Sequence, residues 1–353
     1  MKIQLTDRIE LFNYCKPYII AEIGANHNGD MELAKKMIIS AKNSGADCAK
    51  FQSWTAESII AKEEYERNQS YSDGDGGKKH FGSLKEMVTK YQLTDKDHKE
   101  LKEFCDYHEI DFCSTPFSEK EADLLNSLDI PFFKVASMDI NNERLLRHVA
   151  KFKKPIIIST GMSTMGEIDW AVKTIEDEGN FEIIILHCIS IYPPQFKDIN
   201  LNNILMLQQT FKYPIGFSDH SIGSAIPIAS VALGACLIEK HFTLDKNMPG
   251  WDHKISADPK ELLEICKESK AIQKSMGVFQ RIVSKNEEGK KLKFRRSIVT
   301  NRDLKKGETI SKEDITHKRP GTGISPNNEE FIIGRTLNKN LPYDTLIKPS
   351  DLV

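Results

Sequence analysis

The sequence predicts a (β/α)8 barrel followed by a small C-terminal domain. Eight short apolar runs recur over roughly the first 275 residues, and most of them are followed by an amphipathic segment. Short apolar runs are typical of strands buried in a parallel sheet, and their alternation with helices indicates an α/β fold. Eight such units match the barrel. A doubly wound open sheet is the main alternative, but no G-x-G-x-x-G dinucleotide fingerprint follows the first run.

The predicted elements follow one another in strand–helix order. Strands are predicted at residues 17–24, 47–52, 110–114, 131–137, 155–161, 181–187, 213–218 and 232–238. Helices are predicted at residues 30–45, 94–108, 118–128, 144–152, 201–211, 222–233 and 258–276, and one more begins at residue 164. Capping-box patterns mark the helix starts at Ser118, Thr164 and Asp258. The segment 61–83 is polar and glycine-rich, and a loop of this length favours a mobile cover over the site.

The composition changes near residue 285, which predicts a division of the chain. Residues 1–284 are assigned to the barrel domain, the charged stretch 285–296 to a linker, and residues 297–353 to a small module. The module begins with a strand-like run and contains a rigid Pro/Gly loop at 318–326. A module of this size buries little core, and we expect it to dock on a larger partner.

The overall composition excludes several classes of protein. A formal net charge of −2 gives no indication of nucleic-acid binding or of a basic membrane surface. Charged residues come too early for a signal peptide, and no apolar run approaches the ~20 residues that span a bilayer. The seven cysteines are scattered, with no Cys-x-x-Cys pair, which predicts reduced thiols in a cytoplasmic protein.

Polar residues collect at the C-terminal ends of the predicted strands, where barrels of this class bind ligands. They are Glu22, Lys50, Gln52, Ser114, Lys134, Ser137, Asp139, Ser159, Thr160, His187, Ser190, Tyr192, Ser218, His220, Glu239, His241 and Asp252. A lysine in an apolar strand is costly unless it meets an anion or a carboxylate. Lys50 and Lys134 therefore indicate either ion pairs with Glu22 and Glu239 or a site for phosphate or carboxylate, and the neighbouring serines favour the site.

His220 and His241 end neighbouring predicted strands, so both imidazoles are candidates to bind one metal ion. A lone histidine is more often structural, but two in this placement with oxygen ligands suit Mn2+, Fe2+, Co2+ or Zn2+. Glu22 and Glu239 are candidates for acid–base catalysis or for support of the ligands. The residues alone thus indicate a metal-assisted enzyme for a small, doubly anionic substrate, and they leave the reaction open.

Eight motifs together resemble the bacterial sialic acid (N-acetylneuraminate) synthase family, which includes the legionaminic and pseudaminic acid synthases. They are AEIGANHNG (21–29), KVAS (134–137), STGM (159–162), LHC (186–188), IYP (191–193), FSDH (217–220), EKHFT (239–243) and KRPGTGIS (318–325). The resemblance covers nearly the whole chain. It identifies the tail, residues 297–353, with the SAF or antifreeze-like domain of these enzymes.

The resemblance implies condensation of phosphoenolpyruvate with the open-chain aldehyde of an N-acylated hexosamine, either N-acetylmannosamine or a diacetamido 6-deoxy analogue. The products are a nine-carbon 2-keto acid and phosphate. Phosphoenolpyruvate would be held by Lys50, Lys134, Ser137, Ser159 and Ser218. His220 and His241 would hold a divalent ion, Mn2+ with Mg2+ or Co2+ as alternatives, that polarises the aldehyde. Glu22 is the first candidate for the acid–base residue, and Glu239 is the second.

The same resemblance implies a sugar subsite and a domain-swapped homodimer. The sugar contacts would be Gln52, Asp139, Ser190, Tyr192 and Asp252, with Arg319 reaching the N-acyl group from the partner subunit. Two positions depart from the family pattern. Asp139 stands where a glutamate is usual, and Ser190 stands where the sialic acid synthases carry an asparagine. Both departures leave the identity of the hexosamine open.

Two other functions were weighed against this one. A metal-dependent aldolase, or a related phosphoenolpyruvate condensation on a sugar phosphate, fits the barrel residues, but the tail domain argues against it. A non-catalytic carbohydrate-binding or ice-binding protein has no need of a histidine pair that faces an anion site, and the tail is rich in charged residues rather than short flat ones.

Overall fold

The chain folds into two compact units, residues 1–277 and residues 278–353, in a computed structural model. The structure describes residues 1–69 and 82–353. Most of the predicted cover segment, residues 70–81, therefore lies outside the described residues. None of the described helices combines the length and apolar character that crossing a membrane requires.

The first unit begins with an antiparallel hairpin that was not predicted from the sequence. It consists of β1 (Ile3–Thr6) and β2 (Ile9–Leu11). Ile3, Leu5 and Leu11 are buried in the apolar cluster that fills the barrel interior. These apolar side chains anchor the hairpin to the barrel interior. In the sequence, the charged residues among them obscure the strand pattern.

Eight parallel strands form the barrel, and the predicted (β/α)8 fold is confirmed. They are β3 (Tyr18–Gly24), β4 (Cys48–Ser53), β5 (Asp111–Pro116), β6 (Phe133–Val135), β7 (Ile156–Ser159), β8 (Ile183–Cys188), β9 (Ile215–Asp219) and β10 (Leu237–His241). Their hydrogen-bonded order is β5-β4-β3-β10-β9-β8-β7-β6, and β5 and β6 lie side by side, so the barrel is nearly closed.

Twelve α-helices lie among the described residues of the first unit. They are α1 (Met31–Asn43), α2 (Ala56–Ile59), α3 (Lys62–Arg67), α4 (Leu84–Tyr91), α5 (Asp95–Tyr107), α6 (Glu119–Ser127), α7 (Glu143–Lys151), α8 (Met165–Asp177), α9 (Phe196–Ile199), α10 (Asn202–Thr210), α11 (Ala225–Ala232) and α12 (Pro259–Met276). Full capping boxes form at Thr164 and Asp258, as predicted. At Ser118 the hydroxyl accepts from the Glu121 N–H without the return bond, because the Glu121 side chain is buried instead.

The eighth strand lies later in the chain than predicted. The apolar run 232–238 was predicted as the strand, but β10 begins at Leu237, and Glu239 and His241 lie inside it. The run spans the end of α11 and a turn at Gly234, whose φ is +93°. Side chains rarely adopt this φ, and a Cβ there would also lie 2.8 Å from the Tyr14 ring, so the turn favours glycine. Apolar composition alone does not mark this turn.

The second unit contains a helix where a linker was predicted. Residues 285–294 form α13 (Lys285–Phe294), which is capped by Ser284 and exposed along its length. Acidic residues in its first turn and lysines in its last suit the helix dipole. The strand predicted at 297–300 is β11 (Ser297–Thr300), which pairs antiparallel with β12 (Ile315–Lys318) over a small apolar core.

Candidate active site

The candidate site lies at the C-terminal ends of the barrel strands, on the face that alternate residues direct inward. The inward-facing polar residues are Glu22 on β3, Lys50 and Gln52 on β4, Thr115 on β5, Lys134 on β6, Ser159 on β7, Ser218 on β9, and Glu239 and His241 on β10. Strand register brings them together, because Glu239 lies opposite Ser218 and Glu22 lies between Lys50 and His241.

Two lysines and two carboxylates form a buried charge cluster at the centre. Lys50 Nζ lies 2.6 Å from Glu22 Oε2 and 3.5 Å from Glu239 Oε2. Lys134 Nζ lies 3.7 Å from Glu239 Oε1. The sequence left two alternatives for Lys50 and Lys134, ion pairs or an anion site, and the ion pairs are present in the structure. With two positive and two negative charges, this cluster by itself holds no surplus of positive charge for an anion.

Hydroxyl groups surround the two ammonium groups. Lys134 Nζ donates to Ser159 Oγ at 2.7 Å, and Lys50 Nζ donates to Thr115 Oγ1 at 3.1 Å. Ser218 Oγ donates to Glu239 Oε1 at 2.8 Å. Thr115 was not among the predicted residues, although its position two residues after the buried Cys113 places it on the inward face of β5. The hydroxyls are thus available to an anion that displaces a carboxylate.

The burial of the cluster separates the two carboxylates chemically. Burial raises the pKa of Glu22 to about 6, because the nearby Glu239 charge adds to desolvation and Lys50 only partly offsets it. Burial acts on Glu239 in the same direction, but Lys134, Lys50 and Ser218 outweigh it and lower the pKa of Glu239 to about 2. Glu239 is therefore the permanent anion of the pair, and Glu22 is the carboxylate that can exchange a proton near neutral pH.

A tight polar corner lies beside Lys134. The Gly161 N–H donates to Ser137 Oγ at 3.1 Å, and Ser137 Oγ donates to Cys188 Sγ at 3.6 Å. A Cβ on Gly161 would lie 2.1 Å from Ser190 Oγ, so only glycine fits there. Ser190 therefore lies next to Ser137, on the side of the anion residues, whereas the sequence associated it with the sugar. Cys188 was not among the predicted site residues.

The two histidine rings face each other at the mouth of the barrel. The centroids of His220 and His241 are 5.3 Å apart, and the Tyr192 ring lies 4.0 Å from that of His220. His220 Nδ1 lies 2.8 Å from the Ile189 carbonyl, which can only accept, so Nδ1 carries the proton and Nε2 keeps the lone pair. Burial opposes a charge on His220, but Cys188 and the Ile189 carbonyl outweigh it and raise the pKa of His220.

The residues at this point fit a divalent ion with an open coordination shell. His241 Nδ1 is buried, has no hydrogen-bond partner among the described residues, and lies 3.8 Å from Asp252 Oδ2. Burial and the charges of His220 and Lys50 hold the pKa of His241 well below its usual value, so its ring is neutral, as a ligand must be. Within residues 1–69 and 82–353, no group of three or more His, Cys, Asp or Glu side chains is arranged for a metal. Two imidazoles leave most positions to oxygen atoms of water or substrate.

The remaining predicted residues are placed around this centre or away from it. Gln52 Nε2 donates to Glu22 Oε1 at 2.7 Å. Asp139 lies in a 3-10 turn, where Asn142 donates to one carboxylate oxygen, and the other is buried with no partner in the described part of the chain. Burial raises the pKa of Asp139 and, to about 6, that of Asp252. Arg319 belongs to the second unit, where its guanidinium carbon lies 5.3 Å from the Phe294 ring.

Two of the collected strand-end residues face away from the barrel interior. Ser114 bonds to Ser53, and His187 Nε2 bonds to the Ile199 carbonyl at 2.7 Å. Both side chains lie in the layer between the sheet and the helices, because each is adjacent in sequence to residues that face the barrel interior. Neither belongs to the candidate site.

Known sequences show which family shares this arrangement. Residues 37–281 match the NeuB family, and residues 295–353 match the SAF domain. The chain belongs to the NeuB family. An N,N'-diacetyllegionaminic acid synthase from Campylobacter jejuni is 43% identical over 339 residues, which cover 94% of this chain and 99% of the relative. The enzyme of the same name from Legionella pneumophila is 39% identical over 94% of this chain and 93% of its own.

A solved NeuB-type structure has the same architecture. The N-acetylneuraminic acid synthetase of Leptospira borgpetersenii, crystallised with citrate, is 34% identical and superposes with a TM-score of 0.72 over 82% of this chain and 95% of its own. The resemblance drawn from the eight motifs is confirmed, as is the SAF domain at the C-terminus.

Proposed function

We propose that this NeuB-family chain is a nonulosonic acid synthase that condenses phosphoenolpyruvate with the open-chain aldehyde of an N-acyl hexosamine. The products are a nine-carbon 2-keto acid and inorganic phosphate. The observation that carries the proposal is the buried cluster of Lys50, Lys134 and hydroxyl groups, which lies beside the histidine pair at the barrel mouth. The two legionaminic acid synthases and the N-acetylneuraminic acid synthetase to which the chain is similar support the same reaction by their names.

The charges of the cluster indicate how a doubly anionic substrate is accommodated. Lys50 and Lys134 are neutralised by Glu22 and Glu239, so phosphoenolpyruvate needs additional positive charge when it binds. A proton on Glu22, whose pKa is raised to about 6, removes one negative charge. His220 and His241 could hold a divalent cation, which would supply further positive charge. Ser137, Ser159 and Ser218 then donate to the phosphate and carboxylate oxygens.

His220 and His241 would hold this cation, which we take to be Mn2+, with Mg2+ or Co2+ as alternatives. When bound it supplies Lewis-acid polarisation of the aldehyde. The chain's own residues align the reactants. Lys50 and Lys134 fix phosphoenolpyruvate so that its C3 faces the sugar subsite, and the Tyr192 ring, packed on His220, walls that subsite.

Glu22 is the residue that we assign to proton transfer. Attack of C3 on the aldehyde forms the new C–C bond and leaves a cation-like C2 that water captures. Glu22, protonated when phosphoenolpyruvate binds, gives its proton to the aldehyde oxygen during the attack and then accepts one from that water, while Gln52 holds Glu22 Oε1 in place. The resulting tetrahedral carbon then expels phosphate by cleavage of the C2–O bond, and the proton of the C2 hydroxyl leaves with the phosphate. One water is consumed for each phosphate released.

The acceptor that we favour is a diacetamido 6-deoxy hexosamine. Two relatives named N,N'-diacetyllegionaminic acid synthases align over more than nine tenths of this chain. The candidate contacts of the sugar are Gln52, Asp139, Tyr192 and Asp252. Ser190 would lie between the sugar and the polar corner at Ser137. N-acetylmannosamine is the second candidate, because the superposed solved structure is an N-acetylneuraminic acid synthetase.

We further propose that the enzyme is a domain-swapped homodimer in which Arg319 of one subunit reaches the sugar N-acyl group in the other. Exposed apolar side chains on the loops after β6, β7, β8 and β9 support a covered barrel mouth. They are Met138, Met162, Ile191 and Ile222, each more than half exposed. The second unit likewise exposes Phe331 and Tyr343. The seven cysteines are free, which supports a reducing, cytoplasmic setting.

Phosphate release is the experiment that tests the function. The full-length protein, stripped of metal and then loaded with Mn2+, is incubated with phosphoenolpyruvate and one of four sugars: N-acetylmannosamine, a diacetamido 6-deoxy hexosamine, mannose, or N-acetylmannosamine 6-phosphate. We expect release with one N-acyl sugar, and loss of release with a chelator and in the His241→Ala variant. Release without any sugar, or with mannose alone, would contradict the proposal.

A further inference from the structure

A fully buried ion pair lies directly behind the two histidines. Asp219 and Lys240 stand opposite each other near the ends of β9 and β10, and each immediately precedes a histidine in the chain. Lys240 Nζ lies 2.7 Å from Asp219 Oδ2, and the side chains are 0% and 1% exposed. Neither residue faces the site, and the proposed chemistry uses neither.

The pair points into an apolar layer. Ser218 and Glu239 face the barrel interior, so their successors Asp219 and Lys240 face the helices, on the side of Phe217 and Phe242. Removing two charges from water into such a layer is expensive, and apolar residues of similar volume often stabilise a fold equally well. A contribution to stability therefore does not by itself explain this pair.

The hydrogen bonds of the pair surround His220. Asp219 Oδ1 accepts from the Ser221 N–H at 3.0 Å, and Asp219 Oδ2 accepts from Ser221 Oγ at 3.0 Å. Lys240 Nζ also donates to the Ser221 carbonyl. Asp219 and Ser221, which flank His220, are thus hydrogen-bonded to each other, and both are bound to Lys240, which precedes His241. This closed set of bonds fixes the backbone that carries one imidazole relative to the backbone that carries the other.

We propose that Asp219 and Lys240 are positioning residues that set the geometry of His220 and His241 for a divalent cation. This inference rests on the proposed function, because it assumes that the histidine pair binds the cation. Residues that support metal ligands from behind typically change metal affinity by ~10- to 100-fold when they are replaced. The same effect is expected here, transmitted through the backbone rather than through a hydrogen bond to the rings.

The test separates metal affinity from stability. In the double variant Asp219→Leu/Lys240→Met, both charges are replaced by apolar groups, so no unpaired charge is left buried. Mn2+ binding to the full-length protein is measured by the electron paramagnetic resonance signal of free Mn2+, with no turnover involved, and thermal melts are recorded in parallel. We expect a melting temperature close to that of the wild type and Mn2+ binding weakened ~10- to 100-fold. Lys240→Arg, which keeps the pair, should retain most of the affinity.

Two further variants keep the result interpretable. Tyr18→Phe removes the buried 2.5 Å bond from Tyr18 to Asp111, far along the strand from the site, and should lower the melting temperature without changing Mn2+ affinity. Ser221→Ala removes only the hydroxyl bond to Asp219, so it should fold even if the double variant does not, and should weaken Mn2+ binding ~2- to 10-fold.

The possible failures are distinct. A wild-type protein that binds Mn2+ together with variants that bind it equally well would overturn this inference and leave the proposed metal site standing. A wild-type protein that binds none of Mn2+, Mg2+ and Co2+ would overturn the metal site and this inference together. Weakened Mn2+ binding in Tyr18→Phe as well would show that the effect reflects general destabilisation, which also overturns the inference.

Discussion

Glu22 and Glu239 approach one ammonium group from two strands, with their Oε2 atoms 2.6 and 3.5 Å from Lys50 Nζ. They are not equivalent, because Glu239 also contacts Lys134 and Ser218, whereas among the described residues Glu22 contacts Lys50 and Gln52 as donors. The extra donors lower the pKa of Glu239 to about 2, while that of Glu22 is raised to about 6. The two carboxylates that contact this lysine therefore differ in pKa, and we assign them different roles.

The first prediction follows from this difference. Glu22→Gln keeps the shape of the side chain and its bond from Gln52 but cannot take up a proton. We expect kcat for phosphate release to fall ~10²- to 10⁴-fold, with little change in the KM for phosphoenolpyruvate. Glu239→Gln is the comparison, and it should lower that KM because it removes a negative charge beside Lys50 and Lys134. It should also lower the melting temperature, because two buried ammonium groups lose a counter-charge. If Glu239→Gln rather than Glu22→Gln removes kcat at unchanged KM, the two roles are reversed.

The second prediction concerns the anion site. Lys134→Met removes one of the two ammonium groups while Lys50 still pairs with Glu239. Loss of a charged hydrogen bond should raise the KM for phosphoenolpyruvate ~10- to 100-fold. Lys102→Met is the matched control, since Lys102 pairs with Asp106 on the surface of α5. The KM of each variant is obtained from initial rates at varied phosphoenolpyruvate concentration. Equal KM values for the two variants would show that Lys134 does not bind phosphoenolpyruvate.

The barrel and most of its inward-facing residues were predictable because both rest on local patterns. A buried parallel strand is a short apolar run, and period-two alternation then places Lys50 and Gln52, or Glu239 and His241, on the same face. The C-terminal ends of the parallel strands lie at the same end of the barrel, even where long stretches of sequence separate them.

Features that depend on tertiary contacts were not predictable. The end of α11, the turn at Gly234 and the start of β10 form one continuous apolar run, so the strand was placed too early. Thr115 and Cys188 have ordinary strand sequences, and only their neighbours Lys50 and His220 give them a place in the site. The charged stretch after residue 284 gave no apolar pattern to identify α13, which is exposed on all sides.

The third prediction concerns the loop that carries Asp252. The preceding residue, Trp251, packs against Trp54 and Tyr91 with ring centroids 6.3 and 5.9 Å away, and Asp252 lies 3.8 Å from His241. Trp251→Ala should release the loop and raise the KM for the acceptor sugar up to ~10-fold, while the KM for phosphoenolpyruvate stays unchanged.

Trp170→Ala supplies the control for this prediction, because Trp170 is 40% exposed on the outer surface of α8. Both variants are assayed with the sugar that supports phosphate release in the wild type. A Trp251→Ala enzyme with wild-type KM for that sugar would show that the aromatic contacts of the loop do not hold Asp252 in place.

The fourth prediction tests whether two subunits share each site. Arg319→Ala should depress the activity by removing the sugar contact, and His241→Ala should abolish it by damaging the barrel. In a swapped dimer, the heterodimer of the two contains one site in which an intact barrel meets an intact Arg319. Co-expressed in equal amounts, they should recover about a quarter of wild-type activity, because half of the dimers are mixed and half of their sites are intact. Co-expressed His220→Ala and His241→Ala serve as the control, since every site then has a defective barrel and no recovery is expected. Activity of the first mixture no greater than the mean of its two parents would show that Arg319 serves its own barrel or none, because only an exchanged domain makes the two defects complementary.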